Sequence, residues 1–326
     1  MVMACSCSLN CLSLFFLISA IPIAYIISLE LLPRASVVHY HSSGFLRESA
    51  KWDPLNRRFL VSFFEGGLGQ LVPDNDGTVL KEVSVVKDAD LFRNSSLGFS
   101  VDVPRNRVVV VYADVLKNKF SAVAAYDLST WSRLFFTVLS GADDGKAFAD
   151  DVAVDGDGNS YITDIAGSRI WKVGKDGDRL GTINSTLFNP NPKQWYKNML
   201  TLNGIVYHPD GYLIVIHTQS GRLYKVDPSK VGDSGVTLID VAGGSLSFGD
   251  GMELVSKTKI AIAGFPRIKL VESLDGWSTA RVISSFVGPA HRLPTAVTVK
   301  DGRVYVNYMI GGGYPRKKHA IVEAVF

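Results

Sequence analysis

A single short pattern recurs six times along this chain of 326 residues. Each copy is a run of β-forming residues, a tight turn and a second β run. The second runs read Arg58-Phe59-Leu60-Val61-Ser62-Phe63, Arg107-Val108-Val109-Val110-Val111-Tyr112, Ser160-Tyr161-Ile162-Thr163-Asp164, Tyr212-Leu213-Ile214-Val215-Ile216-His217, Lys259-Ile260-Ala261-Ile262-Ala263 and Arg303-Val304-Tyr305-Val306-Asn307-Tyr308. The turns before them are rich in Asp, Gly, Asn or Pro, as in Asp155-Gly156-Asp157-Gly158, Pro209-Asp210-Gly211 and Asp301-Gly302. Aligned on the turns, the six first strands begin at Glu48, Leu97, Asp150, Asn203, Asp250 and Thr295, at intervals of 49, 53, 53, 47 and 45 residues.

A fixed period of this length, built only from strands, predicts an all-β fold, a six-bladed β-propeller over residues 35–326. A third strand repeats as well, for example Arg169-Ile170-Trp171-Lys172-Val173 and Arg222-Leu223-Tyr224-Lys225-Val226. The chain stops just after the sixth of these. An outer strand for the last blade must then come from elsewhere, and Ser36-Val37-Val38-His39-Tyr40 is the candidate. Pairing the two chain ends closes the ring and covers a sheet edge.

Residues 1–34 read as a separate segment, a signal peptide or a signal anchor. No charged side chain occurs before Glu30, and residues 11–29 are an almost wholly apolar run. That length spans a bilayer, and it also suits a long signal core. Either way the expected location is the secretory pathway, or a membrane anchor with a lumenal body. Membrane contact is expected only through this segment. All three cysteines (Cys5, Cys7 and Cys11) lie within it, so the body has no disulfide, no thiol nucleophile and no thiolate-bound zinc. The sequons at Asn94 and Asn184 fit a glycosylated lumenal body. A net charge of +3 gives no reason to expect nucleic acid as a partner. A small molecule and a monomeric state are expected instead.

In a propeller the first strands line the central channel, so equivalent positions on them form a ring. Four of its six members are Glu48, Asp150, Asn203 and Asp250; Leu97 and Thr295 carry no carboxylate. At about 5 Å and an effective dielectric near 20, each pair of like charges costs roughly 3 kcal/mol. A bound cation or shared protons relieve that cost. Oxygen ligands without His or Cys select a hard divalent cation, Ca²⁺ or Mg²⁺. Acidic residues at strand starts also cap turns, but four oxygen-bearing residues in one register favour the ring. Strand alternation points Asp151 away from the channel. His217 reads as a structural histidine on an apolar strand. His291, in the loop before the sixth first strand, is placed to reach the channel mouth. Phe148, Trp195, Phe248 and Leu293, beside other first strands, are candidates with it for a substrate pocket.

Several segments together carry a resemblance: Glu48 with Trp52-Asp53-Pro54, Asp150-Asp151-Val152-Ala153-Val154-Asp155 leading to Tyr161-Ile162-Thr163-Asp164, Asn203-Gly204-Ile205, and Phe248-Gly249-Asp250-Gly251-Met252. They resemble the regucalcin/gluconolactonase (SMP-30/gluconolactonase/LRE-like) family. Its wider superfamily of six-bladed propellers includes paraoxonases, squid-type phosphotriesterases and strictosidine synthases. The resemblance implies a catalytic divalent cation, most often calcium, held at the axis. Glu48, Asn203 and Asp250 match the family's ligands, and Asp150 falls where the family more often has Asn. The extra charge would tighten metal binding and blunt the metal's pull on substrate electrons. The position of Asp250 implies a base for water or a nucleophile. The implied function is a calcium-dependent hydrolase of lactones or other esters, phosphotriesters included. A propeller that binds a partner without catalysis, its metal structural, is the alternative. A strictosidine-synthase-like enzyme ranks third: that chemistry needs a glutamate in a later blade, and Glu253 and Glu272 sit in no recognisable motif.

Overall fold

The computed structural model describes residues 9–31, 36–74, 79–91, 94–141, 145–189 and 199–326, with side chains of the first helix described from residue 20 onward. That helix, α1 (Leu9–Leu31), holds Pro22 in its interior. Among the residues whose side chains are described, no helix is long and apolar enough to cross a membrane.

Strands dominate the rest of the described residues. β1 (Val37–Ser42) precedes the first repeat. The repeats then give β2 (Ala50–Asp53), β3 (Arg58–Ser62), β4 (Leu68–Pro73) and β5 (Leu80–Val86); β6 (Ser95–Asp102), β7 (Arg107–Ala113), β8 (Ser121–Asp127) and β9 (Arg133–Val138); β10 (Ala149–Val154), β11 (Ser160–Asp164), β12 (Arg169–Val173) and β13 (Arg179–Asn184). They continue with β14 (Leu202–His208), β15 (Tyr212–His217), β16 (Arg222–Val226) and β17 (Val236–Ala242); β18 (Gly249–Ser256), β19 (Lys259–Gly264), β20 (Ile268–Glu272) and β21 (Thr279–Phe286); and β22 (Pro294–Lys300), β23 (Arg303–Tyr308) and β24 (Lys317–Ala324). Each group is an antiparallel meander in chain order.

The last group has three strands of its own and takes β1 as its fourth. β1 runs antiparallel to β24, from Val37 opposite Val322 to Ser42 opposite Lys317. The expected pairing of the chain ends is therefore present. Two parallel contacts join neighbouring outer strands, β1 with β5 and β17 with β21. They tie groups into larger sheets, so the sheets comprise two of four strands and two of eight.

The innermost strands close on one another. β2 touches β6, β6 touches β10, β10 touches β14, β14 touches β18, β18 touches β22, and β22 returns to β2. Apolar clusters fill the gaps between consecutive groups, and strand alternation supplies both sides of each gap. On β7, Val108 and Val110 pack toward Leu60 and Leu68, while Val109 and Val111 pack toward Val152 and Ile162. Tyr40, Phe59, Tyr305 and Ile321 form the cluster that seals the last group against the first.

The turns inside the repeats are held by their acidic residue. Asp53 accepts from the backbone N–H of Leu55 and Asn56 and from Arg58 Nε at 2.9 Å. Asp102 accepts from Arg107 Nε at 2.8 Å. In the third repeat Asp155 accepts from the N–H of Asp157 and Asn159 and from Tyr161 Oη. Carboxylates that accept turn N–H groups fix the chain reversal and set the register of the following strand.

Candidate active site

The ring residues sit where the innermost strands depart from regular pairing. Ala149 lies opposite Asp164 and Val152 opposite Ile162, so Asp150 and Asp151 together form a bulge. Asn203 and Gly204 occupy the same place between Leu202 and Ile205, and Asp250 and Gly251 between Gly249 and Met252. Leu97 and Gly98 do so in the second repeat, and Thr295 in the last. A bulge bends the strand and re-aims its side chains. Glu48 stands just before β2, with its neighbour Ser49 bonded to Ser62 through both backbone groups.

Close packing at the axis explains the glycines of these bulges. A Cβ on Gly204 would lie 2.2 Å from the carbonyl oxygen of Asp250, and one on Gly98 would lie 2.4 Å from Asp151 Oδ1. The third repeat departs from this pattern, with Asp151 where the second, fourth and fifth repeats carry glycine. Asp151 is buried, and it accepts from the backbone N–H of Val152 at 2.9 Å and of Ile205 at 3.4 Å.

Glu48 is fixed through its backbone. Its carbonyl oxygen accepts from Asn307 Nδ2 at 2.9 Å and from Thr295 Oγ1. Asn307 also donates to the carbonyl of Arg47 at 2.7 Å. Arg47, fully buried, is clamped by Glu82 and Glu65 and lies over the Phe63 ring.

Electrostatically the ring is strained. Burial first, then the charges of Asp150, Asp250 and Asp151, raise Glu48 well above the usual carboxylate range, against the pull of Lys51. Burial and the charges of Asp250 and Asp151 raise Asp150 in the same way. Burial raises Asp250 to about 7, although a hydrogen bond from the Asn203 side chain opposes it. Burial takes Asp151 to about 6 against the nearby Lys51 ammonium. Asn203 is buried; the three ring carboxylates keep some accessible surface yet have protein packed densely around them.

Two buried oxygens here have no protein partner, Glu48 Oε2 and Asn203 Oδ1. Unsatisfied buried oxygens beside mutually repelling acids are compatible with a hard divalent cation or with shared protons. Among the described residues, no three His, Cys, Asp or Glu side chains gather closely enough to form a ligand cluster by themselves. Any ion would therefore lean on Asn203 and on oxygens from outside the chain.

No family model matches the chain, and no curated protein matches it. Solved structures do. The major Malassezia sympodialis allergen Mala s 1 superposes with a TM-score of 0.70 at 18% identity, over 90% of this chain and 96% of that one. A streptogramin B lyase gives 0.53 at 12% identity, covering 88% of this chain and 97% of its own. A putative oxidoreductase (glucose dehydrogenase) from Thermus thermophilus gives 0.55 at 14%, covering 88% and 100%. All three have β-propeller folds.

The chain is a β-propeller.

Phe248 and Leu293 stand in the loops just before β18 and β22, 54% and 37% exposed, both with positive φ. Phe265 joins them, donating its N–H to the carbonyl of Phe248. Phe148 is half-buried and donates its N–H to Asp164 Oδ1. Trp195 lies outside the described residues. His291 is turned toward the N-terminal helix: its Nε2 is 2.9 Å from Glu30 Oε1, which also takes Arg292 Nε at 2.5 Å. The propeller thus brings the end of α1 to the rim and gives His291 a partner that the loop sequence did not indicate. His217 is fully buried and burial holds it neutral, down to about 4, in keeping with a structural role. Asn184 is exposed and Asn94 half-buried.

Asp151, which the sequence reading set aside on strand alternation, and Lys51, which it missed, both act on the charge of Glu48. A legible signal existed for the first, a carboxylate at the place where neighbouring repeats carry glycine.

Proposed function

We propose that this propeller has six blades and acts as a calcium-dependent hydrolase on a lactone or another ester, phosphotriesters included, at the mouth end of its axis. The observation that carries the reading is the pair of partnerless oxygens, Glu48 Oε2 and Asn203 Oδ1, among acids whose charges act on one another. Glu48, Asp150, Asn203 and Asp250 would hold a divalent cation, calcium first, which when bound supplies a Lewis acid for a carbonyl or phosphoryl oxygen. Asp250, braced by the Asn203 amide, takes a proton from water or attacks the substrate itself. Phe248 and Leu293 offer apolar contact at the rim, with Phe148 behind them. The same reading includes residues 1–34 as a leader or anchor, a body in the secretory pathway with glycans at Asn94 and Asn184, and a single copy of the chain.

The test is turnover of a panel of lactones, aryl esters and phosphotriesters with calcium present. Asp250→Asn and Glu48→Gln should each lower it by about 100-fold or more, with a cooperative melt retained. Undiminished turnover in both folded variants overturns the hydrolase.

One observation favours a second reading. No three acidic or histidine side chains gather as a cluster among the described residues. A propeller that binds a partner, its ion purely structural, would show a calcium-dependent melt and no turnover of any panel member.

A further inference from the structure

One turn of the pattern below the ring lies a second layer. A bulge adds one residue to the two-residue alternation, so positions three apart share a face. Three residues on from the ring stand Lys51, Ser100, Ala153, Val206, Glu253 and Thr298. All of them line the cavities at the far end of the axis, one of about 310 Å³ and one of about 170 Å³. Lys51 and Glu253 border both cavities.

Lys51 reaches across this layer, and its hydrogen-bond partners are all oxygens. Its Nζ donates to Glu253 Oε2 at 2.6 Å and to the Val297 carbonyl at 3.1 Å, and the Met252 carbonyl lies at 3.5 Å. These oxygens come from two other repeats, some 200 and 246 residues away along the chain. The charges of Asp151 and Glu48 act on the ammonium from the mouth side. The Lys51 side chain is only 11% exposed. A side-chain carboxylate and backbone carbonyls converging on one point are what a hard cation selects.

We propose that Lys51 is a built-in cation: its ammonium occupies a second oxygen-lined position on the axis, in place of a free divalent ion, and closes the passage there. The consequence is a propeller with one working mouth. Solutes reach the acidic ring only from the side of Phe248 and Leu293, and the far cavities open on the other face without reaching it. The inference does not depend on catalysis, and it concerns a position separate from the proposed metal ring.

The experiment is calorimetric titration of the full chain with CaCl₂, comparing wild type with Lys51→Ala. The alanine variant should take up one more calcium per chain than wild type. Lys51→Met combined with Glu253→Gln, which fills the space and removes the carboxylate, should not. Equal stoichiometry in wild type and a folded Lys51→Ala overturns the proposal. If Lys51→Ala does not fold alone, millimolar calcium should restore its cooperative melt; failure to restore it also overturns the proposal. A wild type that binds no calcium defeats the proposed metal ring, yet an extra ion in the variant would still support this inference.

Discussion

Asn307 Nδ2 lies 2.9 Å from the carbonyl oxygen of Glu48, joining residues 259 positions apart. The same amide nitrogen serves the carbonyl of Arg47 at 2.7 Å. Glu48 stands outside the β2 ladder, so this amide replaces the strand partner its backbone lacks. Asn307→Ala leaves two carbonyls without that donor, a loss of about 1–3 kcal/mol in stability. Calcium affinity, measured by titration, should weaken as Glu48 loosens. A variant with an unchanged melt and unchanged affinity would show that Thr295 alone suffices.

Asp250→Asn should move stability and turnover in opposite directions. In chelator the substitution removes a buried charge from a ring of like charges, so the melting temperature should rise. Turnover on the ester panel should fall at the same time. A lower melting temperature in chelator would mean that Asp250 stabilises the fold as a charge, against the electrostatics described above.

The pH dependence has two opposing parts. Asp250 and Asp151 are raised to about 7 and about 6, so the fold favours their protonated forms. Their contribution is fully present below the ordinary Asp value near 4 and is lost as pH climbs to 7. His217 and His319 are lowered to about 4 by burial. Their contribution is present above 6.5 and is lost as pH falls toward 4. Melts in chelator between pH 4 and pH 8 should show both slopes. In Asp250→Asn the loss on the alkaline side should shrink by an amount on the order of 4 kcal/mol at most, and the loss on the acid side should remain.

Gly204→Ala tests the packing of the bulges. The added methyl would meet the Asp250 carbonyl oxygen at 2.2 Å, a backbone atom with little freedom to move. A destabilisation of about 1–3 kcal/mol is expected, together with weaker calcium binding because Asp250 shifts. Gly156→Ala is the control: nothing lies within 4 Å of its Cβ position, and its melt should stay close to wild type.

The repeats were legible because strand, turn and strand each leave a chemical mark: β-branched runs, an acidic turn residue, and a fixed spacing. The borrowed outer strand was legible for the same reason, since a missing partner shows as a gap in the count. The direction of side chains at the axis was not. Simple alternation does not describe Asp151, which shares a bulge with Asp150, accepts from the N–H groups of Val152 and Ile205, and adds its charge to those acting on Lys51, Glu48 and Asp250. Bulges depend on how tightly neighbouring innermost strands pack, and that is a property of the closed ring rather than of one strand. Lys51 stood in an unremarkable turn-proximal position; only the return of β18 and β22 beside β2 surrounds it with oxygen. The rim was the least legible part, because His291 finds its partner in a helix 261 residues earlier.

The pairing of β1 with β24 limits how this chain can be processed. β1 begins at Val37, so removal of the proposed leader would have to stop before that residue. A cut farther on would strip the strand that zips the two ends together, baring the edges of both β24 and β5. A product trimmed past Val37 should therefore be recovered as aggregate rather than as a soluble body.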